Sequence, residues 1–164
     1  MSRMTRLRNA PLLALVLALV AIVGACGGDD SRAQFAEDVV AARDRVDSAL
    51  AQVTQPKSVE DLILRLRIAR DEISTAAPTS PAADAPEDLT DEQRRLSASL
   101  TNLATEVGGV ADALEELGPG AADIRTLNFE NWNRVQAALE NLRDAGIEVE
   151  PLGRHGGESG GSGS

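Results

Sequence analysis

The sequence predicts an all-α protein, an elongated four-helix bundle built from two antiparallel helical hairpins. Three observations lead there. Apolar residues recur at alternating spacings of three and four along successive stretches, the pattern of a packed helical seam. Capping residues, prolines and glycines punctuate those stretches at intervals suited to helices. Finally, Cys26 is the only cysteine and Phe35, Phe129 and Trp132 are the only aromatic residues, so no internal disulfide forms and the core falls to Leu, Val, Ile and Ala.

Residues 33–76 read as the first hairpin. Phe35, Val39, Ala42, Val46, Ala49 and Val53 form its first seam, and Gln55-Pro56 ends it. Ser58 then caps a second helix with Asp61 three positions on, and Val59, Leu62, Leu66, Ala69, Ile73 and Ala76 continue the periodicity. A loop of about four residues implies antiparallel neighbours. Residues 77–88 hold three prolines and no large apolar residue, the composition of a semi-extended linker.

Residues 89–146 read as the second hairpin. Thr90 and Gln93 form a capping box ahead of the seam Leu96, Leu100, Leu103, Val107, Val110, Leu114 and Leu117. Gly108-Gly109 interrupts that seam at about 1 kcal/mol per glycine relative to alanine, marking a bend or a close helix approach. Gly118-Pro119-Gly120 ends it. Ile124 and Leu127 then fit one phase, and Trp132, Val135, Leu139 and Leu142 another. A cap at Asn128, with Leu127 stapled onto Trp132, reconciles the two and starts a helix running to about Ala145 and stopped by Gly146. In 147–164, Ile147-Glu148-Val149-Glu150 alternates and is expected to lie extended along the bundle. A Gly/Ser tail from Arg154 is expected to be disordered.

The N-terminus carries an address. Arg3, Arg6 and Arg8 precede a charge-free apolar run over residues 10–25, shorter than the roughly 20 residues that span a bilayer. Residues 1–25 thus have the layout of a secretory signal peptide. Its closing residues, Val23-Gly24-Ala25-Cys26, resemble the lipobox of bacterial lipoprotein precursors. That resemblance implies a thioether-linked diacylglycerol on Cys26 and signal cleavage between Ala25 and Cys26. It also implies a lipid-anchored position on the extracytoplasmic face of the cell membrane, with 26–32 as the lipidated cysteine and polar tether. Two other fates suit the same residues: ordinary cleavage that releases a chain with a free thiol, or retention as a short anchor. Ala85-Pro86-Glu87-Asp88-Leu89, followed by Asp91-Glu92-Gln93, is similar to a helix entry in uncharacterised lipoproteins of high-GC Gram-positive bacteria, which implies location and no activity.

Cleavage before Cys26 removes three basic residues and no acidic ones, taking the formal charge from −10 to −13. So acidic a surface disfavours nucleic acid as a partner. Gly157-Glu158-Ser159-Gly160-Gly161 matches the G-x-S-x-G pattern of serine hydrolases, with His155 nearby. It lacks the strand and helix that a nucleophile elbow needs. One histidine and one cysteine cannot assemble a zinc or copper site of the nitrogen/sulfur type, and no EF-hand spacing occurs, so no metal or cofactor is expected. Arg65, Arg67 and Arg70 make the second helix locally basic, as a solvated outer face would, with an acidic partner or phospholipid headgroups as the competing reading. Phe129, Asn131 and Trp132 form a candidate binding surface for a sugar or peptide. Trp132 as a core anchor is the competing reading. The expected function is non-enzymatic: an interaction or structural module at the cell envelope, with an envelope protein or a second copy as partner. The alternative is a carrier of a small ligand or lipid between the hairpins.

Overall fold

The predicted seams lie on the inward stripes of four described helices, with Val59, Val110 and Trp132 half-buried and Leu117 exposed. The computed structural model describes residues 27–77, 85–118 and 127–153, and these hold α1 (Gly27–Val53), α2 (Val59–Ala76), a 3₁₀ turn (Glu87–Leu89), α3 (Thr90–Leu117) and α4 (Glu130–Asp144). The signal peptide, Ala25, Cys26, Ile124, His155, the 157–161 motif and much of the 77–88 linker lie outside the described residues. Helices pack in chain order, α1 on α2, α2 on α3 and α3 on α4. Arg45 pairs with Glu72 while Arg65 reaches the Gln52 carbonyl, so α1 and α2 run antiparallel. Arg67 pairs with Asp112 and Glu115 while Arg70 lies against Gly108, so α2 and α3 do too. A single apolar core draws residues from all four helices and from Ile147, Val149 and Leu152 beyond them.

All six α1 seam residues are buried, as are Leu62, Leu66, Ala69, Ile73 and Ala76 of α2. At roughly 1.5–3 kcal/mol per fully buried large aliphatic side chain, this burial is what holds the helices together. The α1 helix covers Gly27–Val53, so 27–32 is helical where a tether was expected. Arg32, at the end of that stretch, is tied into the fold. Its guanidinium bonds Asp88 at 2.7 Å and the Ala145 carbonyl, which ties this stretch to the 3₁₀ turn and to the C-terminal end of α4.

The α2 cap forms as the sequence predicts. The Asp61 amide donates to Ser58 Oγ at 3.2 Å, and the Asp61 carboxylate accepts from the Lys57 amide at 2.8 Å and from Arg65 Nε at 2.9 Å. The Lys57 amide first, then Arg65, hold the Asp61 carboxyl below its ordinary range.

The capping box expected at Thr90 and Gln93 does not form. Burial of Leu89 winds a 3₁₀ turn ahead of the helix. Thr90 Oγ1 instead reaches back toward the Pro86 carbonyl at 3.4 Å, and Gln93 is turned into the interior. Ala85 and Pro86 are half-buried, so the linker is packed where it enters this turn. The seam of α3 is buried from Leu96 to Leu114 except for half-buried Val110, but Leu117, the last helical residue, is 56% exposed.

Gly108-Gly109 marks a close approach, and α3 runs unbroken through both residues. A Cβ on Gly108 would lie 2.8 Å from Cδ of Arg70, whose side chain crosses the helix there. Gly109 faces open space. Gly109→Ala is therefore expected to raise stability by about 0.5–1 kcal/mol, the helix-propensity difference, measured by urea unfolding. Gly108→Ala gains less because the Arg70 arm must move.

At α4 the Asn128 cap is replaced. The helix starts at Glu130, the residue before it is Phe129 with no side-chain cap, and Asn128 is exposed. The carboxylate of Glu106, on α3, takes that role instead. It accepts from the Glu130 amide at 2.7 Å and the Asn131 amide at 2.9 Å. At the other end Gly146, at φ +88°, reverses the chain, and the Ile147 amide donates to the Leu142 carbonyl at 3.0 Å.

Candidate functional site

The aromatic and amide residues of 129–132 lie at the α3–α4 junction. Phe129 and Trp132 are half-buried and pack, with Leu127, against the core. Asn131 is half-buried as well. Its amide is held by Glu106, and its side-chain oxygen accepts from Arg134 at 3.1 Å. Phe129, Asn131 and Trp132 are thus gathered around one helix start, each with part of its surface toward solvent.

The three α2 arginines are engaged within the fold. Arg65 bridges Asp61 and the Gln52 carbonyl near the end of α1, Arg67 joins α2 to α3 through Asp112 and Glu115, and Arg70 bonds Asp71. Two large apolar side chains stand exposed between those contacts: Leu64 is 57% and Ile68 44% exposed, one turn apart.

Residues 147–153 contribute contacts that apolar periodicity does not announce. This extended segment lies between α1 and α4, the first and last of the described helices. Ile147, Val149 and Leu152 point inward and are buried, while Glu148 and Glu150 are exposed. Its main chain is gripped from both sides. Arg43, on α1, donates to the Pro151 carbonyl from Nη2 at 2.6 Å and from Nε at 3.2 Å. Asp47, one turn later, accepts from the Gly153 amide at 2.6 Å. From α4, Gln136 accepts from the Leu152 amide at 2.9 Å and donates to the Leu152 carbonyl at 3.0 Å, the two-way pattern of a neighbouring strand. The one signal in the sequence was position: Arg43 and Asp47 flank the seam residue Val46 four residues apart, with Gln136 beside Val135.

Among the described residues, no group of three or more His, Cys, Asp or Glu is placed to hold a metal ion, and Gln93 is the only buried polar residue. Its Oε1 has no hydrogen-bond partner. Compared with known proteins, the chain matches no family model, no curated protein and no solved structure.

Proposed function

We propose that the chain is a lipoprotein of the cell envelope, anchored through Cys26 on the extracytoplasmic face of the membrane, whose helical bundle acts as a non-enzymatic interaction module. The observation that carries the anchor is Val23-Gly24-Ala25-Cys26 placed directly after an arginine-led apolar run too short to span a bilayer. Among the described residues, no helix is long and apolar enough to cross a membrane. On this reading the acyl chains supply the attachment, since two of them hold a protein stably at a bilayer where one gives marginal binding. The interaction role is supported by how the polar and apolar groups are divided. The described interior is apolar apart from Gln93, whereas Leu64 and Ile68 and the half-buried Phe129, Asn131 and Trp132 face outward in part. Groups with specific chemistry are thus offered at the surface.

Cys26→Ser tests the anchor. The variant is expected to lose incorporation of labelled palmitate and to leave the membrane pellet. Continued processing together with continued sedimentation with membranes overturns the lipid reading.

A further inference from the structure

The 147–153 segment is bound the way a peptide is bound. Recognition of an extended peptide combines hydrogen bonds to its main chain with pockets for alternate side chains, and both are present. Arg43, Asp47 and Gln136 all address main-chain atoms of Pro151, Leu152 and Gly153, while Ile147, Val149 and Leu152 are the inserted anchors. What ties this ligand to its own groove is a single sharp reversal at Gly146.

We propose that the groove between α1 and α4 is a binding site for an extended segment of the pattern apolar-x-apolar-x-Pro-apolar-Gly, filled within one chain by residues 147–153 and, between chains, by the same residues of a second copy exchanged about Gly146. The second copy is the occupant because its segment makes every contact already seen, residue for residue; only the hinge and the loss of independent motion separate the two forms. This inference goes beyond the envelope reading and needs no membrane.

Gly146→Val puts a β-branched residue at a φ of +88° and a Cβ 3.4 Å from Arg32 Nη2, straining the reversal without touching the groove. Left-handed backbone disfavours such a residue by roughly an order of magnitude in population. The full-chain variant is therefore expected to dimerise at least about tenfold more tightly than the parent, by light scattering in detergent. Adding Leu152→Asp is expected to return it to the monomer. A helical Gly146→Val chain that does not dimerise more tightly overturns the proposal, as does a dimer that survives Leu152→Asp. A complementation mixture decides the matter if Gly146→Val loses helicity. A Leu152→Asp chain keeps an intact groove, and an Asp47→Ala/Gln136→Ala chain keeps an intact segment. Heterodimers formed on mixing, with each chain monomeric alone, support exchange. A mixture that stays monomeric refutes it.

Discussion

Leu66→Ala is expected to lower the unfolding free energy by about 2–5 kcal/mol, the range for deleting a fully buried leucine side chain and leaving a cavity. Leu66 is fully buried on α2, the helix that packs against both α1 and α3, so its loss is felt across two interfaces. Its neighbours on the stripe sharpen the effect. The α2 seam also contains Ala69 and Ala76, which fill little volume, so Leu62, Leu66 and Ile73 carry most of the apolar area. Small side chains cannot swing into a void as a methionine would. The expected loss is a large part of the 5–15 kcal/mol typical of a whole domain. Urea unfolding followed by circular dichroism reads it as a fall in midpoint at unchanged slope. Leu64→Ala is the control: two residues away on the exposed face, it should shift stability by less than about 0.5 kcal/mol.

Glu106→Ala should cost about 1.5–3 kcal/mol, the range for hydrogen bonds to a charged group. The carboxylate sits on the first two amides of α4, where the helix dipole also favours negative charge. Its loss leaves both amides without their partner, since Phe129 supplies no side-chain cap. Glu106→Gln, which keeps one acceptor oxygen, should lose less. Amide hydrogen exchange locates the effect: Glu130 and Asn131 should exchange faster in the alanine variant, with the α1–α2 hairpin unchanged. Equal acceleration throughout the bundle would contradict the role assigned to Glu106.

These two predictions also mark what was legible in the sequence. Periodicity is a local property of the chain, so the stripes of Val46, Leu66, Leu103 and Leu139 could be read one helix at a time, and the extended course of Ile147 and Val149 followed from alternation. The Ser58 cap was readable too, because its partner Asp61 is three residues away. Helix ends closed from a distance were not. Glu106 is 24 residues from the amide of Glu130, and nothing near Asn128 announces it. Arg32 illustrates the same limit, since its partners Asp88 and Ala145 lie 56 and 113 residues away and nothing near Arg32 announces them. Of the candidate site, Phe129, Asn131 and Trp132 were visible as a composition, but the main-chain grip of Arg43, Asp47 and Gln136 was hidden. Polar residues beside a seam look like ordinary solvated surface until the segment they hold is in place.

That grip also sets a timetable. Asp47 meets Gly153 across 106 residues of sequence, and Arg43 meets Pro151 across 108. On folding, α1 therefore waits for residues 151–153 before its outer flank is covered. Contacts between neighbouring helices are available early, whereas closure of the α1–α4 side demands the longest loop in the fold. Folding thus passes through a stage in which the four helices are assembled and one flank stands open, and the core is completed only when residues 147–153 dock.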